Sequence, residues 1–209
     1  MSDVFLTQDV ASKLAMRLCH DFTGPAGAIV SGLDMLAGAP SVNIKGAAQE
    51  MIDASGRKLL ALVTFSRVAF GLGDEVFDTG ALEDLAGGLF SDLRPTLEWS
   101  VEASSLAGPA ARTLLNLVQI AADALALGGV ARAWASPRGG KIHLGVDALG
   151  SRAKVHPEML EGLRGEPLRQ GLSGRWVQAY FVHVMVAAAG GEVAGEVSEA
   201  GIRFAASLP

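Results

Sequence analysis

The chain has 209 residues, half of them apolar and 19% charged, which suits one large or two small folded units and excludes a disordered chain. No apolar stretch reaches the roughly 18 to 20 residues that a membrane-spanning helix needs; the nearest, residues 181–189, is short and interrupted by His183. Asp3 and Asp9 stand where a secretory signal would place basic and then apolar residues, so a cytoplasmic address is expected. One cysteine, Cys19, excludes an intrachain disulfide and a multi-cysteine metal cage.

The formal net charge is −5 and is unevenly spread: residues 1–73 carry six basic and six acidic side chains, residues 74–209 eleven and sixteen. The first part is neutral, the second acidic. Lysines and arginines cluster nowhere densely enough to follow a phosphate backbone, so no nucleic-acid partner is expected.

Between residues 6 and 36, Val10, Leu14, Leu18, Phe22, Pro25, Ile29, Leu33 and Leu36 recur every three or four positions, the spacing of one helix face. Gly38-Ala39-Pro40-Ser41 ends the run. A second run through Ile44, Ala48, Met51, Ser55, Leu59, Leu62, Phe65 and Ala69 keeps the same period and stops at Gly71-Leu72-Gly73. A long antiparallel helical hairpin is predicted, each helix about 28 residues and on the order of 40 Å long. Two helices shield only one side of each other, so a homodimer in which two hairpins form a four-helix bundle is expected. Packing of the hairpin on the rest of its own chain is the competing solution.

After Gly73 the pattern changes to short strands and helices. Residues 80–92 suit a helix, residues 96–102 alternate like a strand, and residues 110–127 form an apolar helix that stops at Gly128-Gly129. Residues 141–147 read as a strand, 150–173 as loop-rich, 175–189 as an apolar helix, and 192–208 as two strands around Glu199-Ala200-Gly201. This order predicts an α/β sandwich with helices over one face of a sheet.

Of the four histidines, His143 lies in a strand, His156 before Pro157 and His183 among valines in a helix, and no pair has metal-ligand spacing. His20 differs. It sits mid-helix in the run Leu18-Cys19-His20-Asp21-Phe22-Thr23-Gly24-Pro25, where the proline removes a backbone hydrogen bond and bends the helix. Local inconsistency of that kind is a mark of functional sites. His20 is turned about 200° from Leu18 of the apolar stripe, and so is expected to face solvent. A neutral imidazole carries a ring lone pair that can act as a nucleophile. Asp21 is a weaker candidate for holding its tautomer, because adjacent helical residues do not face each other squarely. The residues alone leave open an idle surface histidine beside a tolerated proline.

The stretch His20-Asp21-x-x-x-Pro25 resembles the H box of bacterial sensor histidine kinases. The fuller run Leu18-Cys19-His20-Asp21-Phe22-x-Gly24-Pro25-x-Gly27-Ala28-Ile29, followed by Gly32-Leu33 and Met35-Leu36, is similar to the ChpT-type histidine phosphotransferases of alphaproteobacteria, over the whole chain. That resemblance implies an α+β fold with a dimerisation and phosphotransfer hairpin in residues 1–73. Residues 74–209 would be an α/β sandwich like the kinase ATP-binding domain, whose closing elements are echoed by Val186-Ala187-Ala188-Ala189-Gly190-Gly191-Glu192-Val193, Gly201-Ile202-Arg203-Phe204 and Leu208-Pro209.

The nucleotide motifs of that domain are eroded. The kinase N box, Asn-Leu-x-x-Asn-Ala, is matched by Asn116-Leu117-Val118-Gln119-Ile120-Ala121, and isoleucine cannot serve a hard cation that demands oxygen ligands. The adenine-binding Asp-x-Gly-x-Gly box has its nearest relic in Asp147-Ala148-Leu149-Gly150, and the phosphate-cradling glycine box is reduced to Gly171-Leu172-Ser173-Gly174-Arg175-Trp176. No cofactor is expected on this chain. By resemblance, His20 takes a phosphoryl group from the receiver domain of a CckA-like hybrid kinase and passes it to CtrA-like and CpdR-like response regulators, with Mg²⁺ held by the receiver.

Antiparallel register brings the middle of the second helix beside His20, so Lys58, Leu62 and Phe65 are candidates for the receiver-facing surface, and Arg17, one turn before His20, for steering acidic receivers. Two alternatives stand beside the relay: a soluble histidine kinase that uses ATP, and a non-catalytic dimeric scaffold for response regulators. Phosphatase action is disfavoured by Gly24, which occupies the position where phosphatase-competent kinases carry Thr or Asn.

Overall fold

The structure, a computed structural model, describes residues 3–38, 41–166 and 174–209. Helices α1 (Asp3–Ala37) and α2 (Val42–Ala69) form the antiparallel hairpin. Of the turn anticipated between them, Ala39 and Pro40 lie outside the described residues. Gly32 lets the two helices touch: a Cβ there would stand 2.6 Å from Ile52 Cγ1 and 3.1 Å from the Ala48 carbonyl oxygen. Helix α1 continues unbroken through the buried Pro25. Proline has no N–H to donate, so the carbonyl it leaves without a helical donor is that of Asp21, next to His20.

The hairpin is not covered along its length. Val30 and Leu33 on α1 are 57% and 52% exposed and Leu60 on α2 is 67% exposed, with Ile44, Met51 and Val63 also open. At its base the situation reverses. Phe65 and Ala69 are buried in one cluster with Leu82, Leu114 and Phe204 of the second part of the chain.

That second part begins with β1 (Val76–Asp78) and α3 (Thr79–Phe90), the latter capped by Asp78, whose carboxylate accepts from the Ala81 amide at 2.9 Å. There follow β2 (Thr96–Val101), β3 (Ser105–Ala107) and α4 (Gly108–Ala124). Then come β4 (Val130–Arg138), β5 (Lys141–Leu149), α5 (Pro157–Leu163), α6 (Gly174–Ala188), β6 (Glu192–Ser198) and β7 (Gly201–Leu208). The sheet has the order β2-β4-β5-β7-β6, with β2 parallel to β4 and the other pairs antiparallel; β1 and β3 form a separate two-stranded ladder. Helix α4 lies at the centre and is buried at every residue from 110 to 122, which explains a pattern apolar on nearly all sides. Among the described residues, no helix is long and apolar enough to cross a membrane.

Four elements were not anticipated. Strand β4 is central, yet its inward residues are Ala131, Ala133 and Ala135, small side chains of weak strand preference. Strands β1 and β3 are three residues each, and α5 is a seven-residue helix inside the stretch read as loop.

The face of the sheet turned away from the helices carries a row of charges. Strand register aligns Glu98, Arg132, Asp147, Arg203 and Glu196 across all five strands, alternating in sign. Arg132 Nε donates to Glu98 at 2.7 Å, and Arg203 holds both oxygens of Asp147 at 2.6 and 3.0 Å. Hydrogen bonding to Asp147, more than its charge, raises the Arg203 guanidinium above its ordinary pKa. Asp147 is thus committed to the outer face, while its neighbours Val146 and Ala148 point to the core. It therefore faces away from α4.

Candidate functional site

Helix α1 presents Lys13, Arg17 and His20 on one side, spaced by four and three residues. This side forms one wall of an open cleft of about 870 Å³, and the other wall is built from Asp92 and Arg94 in the α3–β2 turn, Asp123 at the end of α4 and Glu158 of α5. The His20 side chain is 90% exposed, and its Nδ1 lies 3.4 Å from Asp21 Oδ1. That separation is at the long end for a hydrogen bond. With the proton on Nδ1 the ring donates to Asp21, and Nε2 presents its lone pair to the cleft.

Arg17 does not stand ready as a steering charge. Its side chain is 15% exposed, its Nη2 donates to Asp123 at 2.9 Å, and its Nε lies 3.9 Å from Asp21. It is a tie between α1 and α4, and it helps set the width of the cleft. Lys13 and Arg94 are the cleft cations with no ion-pair partner among the described residues.

Phe65 also departs from expectation. It is 1% exposed in the core, because the end of α2 is covered by the second part of the same chain, and it cannot meet a partner. The contact of Gly32 with Ala48 and Ile52 sets the hairpin register, which puts Leu62 at the level of His20. Leu62 is half-buried and Lys58, one turn away, is exposed.

The residues of the nucleotide motifs are engaged elsewhere. Ile120 is wholly buried in the core. Asn116 Nδ2 donates to the carbonyls of Ala69 and Arg112 at 2.8 and 2.9 Å, and Gln178 Nε2 donates to Asn116 Oδ1 at 3.2 Å and to Gln119 Oε1 at 2.7 Å. In the reduced glycine box, residues 171–173 lie outside the described residues. Trp176 is buried, stacks on Tyr180 with centroids 4.6 Å apart, and donates from Nε1 to the Glu166 carbonyl at 3.1 Å. Of the other histidines, His183 is occupied structurally, with Nδ1 3.0 Å from the Leu163 carbonyl oxygen.

Residues 79–201 match the family model of the histidine phosphotransferase C-terminal domain. The chain belongs to the histidine phosphotransferase family. A relative from Brucella abortus (strain 2308), the protein phosphotransferase ChpT, is 26% identical over 95% of both chains. A solved bacterial phosphotransferase superposes with a TM-score of 0.84 at 26% identity, covering 99% of this chain and 97% of that one. The fold is shared with kinases at lower similarity: the catalytic domain of the histidine kinase ThkA gives a TM-score of 0.51 at 17% identity, covering 66% of this chain and 97% of that one.

Within this histidine phosphotransferase, the two cleft cations without an ion-pair partner among the described residues divide into one legible in the sequence and one that was not. Lys13 lies two helical turns before His20 on the same side, and spacing alone would have found it. Arg94, Asp123 and Glu158 reach the cleft only through tertiary packing, Asp123 being 106 residues from Arg17. The Arg17–Asp123 tie makes a measurable prediction. Reversing both charges together should recover about 1 kcal/mol relative to the sum of the single reversals in a double-mutant cycle of denaturant unfolding. Strict additivity would show that the tie is energetically idle.

Proposed function

We propose that this protein is a phosphorelay intermediate that carries a phosphoryl group between receiver-domain aspartates on His20, without using ATP. The observation that carries this reading is the open imidazole on the cleft wall, 90% exposed, with its Nδ1 toward Asp21 and its other ring nitrogen without a hydrogen bond among the described residues. In the proposed step Nε2 attacks the phosphorus of a receiver aspartyl phosphate, the N–P bond forms, the P–O bond to the aspartate breaks, and the carboxylate leaves. The ring gains positive charge in the process, and the Asp21 carboxylate is placed to offset it. Transfer to a second receiver is the same step reversed.

Phosphoryl transfer is chiefly positioning and charge neutralisation, and receiver-bound Mg²⁺ would meet the transferring group. Lys13 and Arg94 take over the steering role first assigned to Arg17, since among the described residues no ion pair offsets their charge. Lys58 and Leu62 remain candidates for the α2 side of the dock. The engagement of Asn116 and Gln119 by Gln178, and the burial of Trp176, support the absence of a nucleotide site. The exposed apolar residues Val30, Leu33 and Leu60 support pairing of two hairpins, since apolar surface of that extent gains from cover.

The test is to mix the protein with a phosphorylated receiver domain in the absence of nucleotide. Labelling of His20 is expected within the mixing experiment, while Mg-ATP should show no saturable binding up to about millimolar concentration, weaker than roughly −4 kcal/mol. Micromolar Mg-ATP binding with self-labelling would replace the relay by a kinase, and no label from any receiver would leave a scaffold.

A further inference from the structure

The joint between the hairpin and the second part of the chain is held by buried polar side chains that would otherwise have no task. Ala69 is the last residue of α2, so its carbonyl is among those a helix leaves without an internal partner. Asn116, wholly buried in α4, supplies the missing donor at 2.8 Å, and Gln178 of α6 fixes the orientation of that amide through Asn116 Oδ1. One turn earlier, the buried Arg112 donates from Nη1 to the Gly73 carbonyl at 2.6 Å, with its guanidinium 5.7 Å from the centre of the Phe77 ring. Gly108 makes room for this, because a Cβ there would lie 2.8 Å from the Gly73 oxygen. Phe70, just past α2, packs on Phe181 of α6 with centroids 5.5 Å apart.

These ties are specific as well as numerous. Arg112 Nε and Gln178 Oε1 are buried without a hydrogen bond among the described residues, an unfavourable state that tight fitting of the surrounding groups must offset. The cleft depends on the same joint. One of its walls is α1, and the other, with Asp92, Arg94 and Asp123, belongs to the second part.

We infer that Asn116, Gln178 and Arg112 are positioning residues that lock the second part against the hairpin, so that the cleft beside His20 is assembled before a receiver arrives. The inference rests on the relay reading of His20. It assigns a new task to Asn116, the one asparagine retained from the nucleotide motif: its amide now secures a joint between helices.

The test uses the full-length protein and two phosphoryl donors. Phosphoramidate transfers its phosphoryl group to an imidazole nitrogen with ammonia leaving, and needs no dock; a phosphorylated receiver domain needs one. In Gln178→Met and Arg112→Met, labelling of His20 by phosphoramidate should stay within about twofold of the parent, while KM for the receiver rises about tenfold with kcat little changed. Arg112→Lys should restore most of the receiver affinity, since its ammonium can still donate to the Gly73 carbonyl. Unchanged receiver KM in the folded variants overturns the inference, as does a parallel fall with both donors.

A second measurement stands whether or not the variants fold. Spin labels at positions 12 and 154, in a Cys19→Ser background diluted with unlabelled protein, should give one narrow distance distribution in the otherwise unaltered chain. A broad or two-peaked distribution there shows a loose joint and overturns the lock. Failure of the relay reading looks different: the unaltered protein would take no label from the receiver at all, and the positioning role would fall with it.

Discussion

His20→Ala is expected to abolish phosphorylation by a receiver domain completely, with the unfolding free energy changed by no more than about 0.5 kcal/mol. The two effects separate because the side chain is 90% exposed and its recorded side-chain contact is the long one to Asp21, while alanine is the best helix former. The loss of acid-labile label should be total, since among the described residues no other histidine lines the cleft. The measurement is transfer from a labelled receiver, followed by acid treatment, which releases phosphate from a phosphohistidine. Acid-labile label surviving on the variant would move the nucleophile elsewhere and remove His20 from the proposal.

Phe65→Ala should have its large effect on stability instead. A buried phenylalanine truncated to alanine costs about 3–5 kcal/mol, against a total of roughly 5–15 kcal/mol for a typical domain. Phe65 is among the largest fully buried side chains and touches the core from the hairpin side, so the denaturant midpoint should drop steeply. Transfer would then fall only as the folded fraction falls. A variant with an unchanged midpoint and slowed transfer would return Phe65 to the docking surface, contrary to its burial.

The contrast between His20 and Phe65 shows how far the sequence could be read. Both lie on helices announced by an apolar period of three to four, and that period correctly turned His20 outward. It also marked Phe65 as part of a stripe, but a stripe does not say what covers it. A partner copy and the rest of the same chain satisfy the same pattern, and here the base of α2 is buried in its own chain while Leu33 and Leu60 stay open. Arg17 shows a related limit: its partner Asp123 is distant in sequence, so an ion-paired side chain read as a free charge.

Among the strands, β6 and β7 were legible from their turn, whereas β4 was hidden by alanines inward and Pro137 near its end. Alternation is informative only when the inward residues are large. The erosion of the nucleotide motifs was legible residue by residue. What Asn116 of those motifs is bonded to, a glutamine from α6 and the end of α2, could be learned only from the packing.

The charged row on the outer sheet face has a bearing on how the strands find and keep their neighbours. Sliding β5 by two residues against β7 would set Asp147 opposite Gly201 or Ala205 and forfeit both bonds to Arg203, so neighbouring alignments are penalised on a surface that contributes nothing to the core. The row also ends in Glu98 on β2 and Glu196 on β6, the two rims of the sheet. A second molecule approaching rim to rim at this level would bring glutamate against glutamate, which protects the protein from unwanted sheet extension.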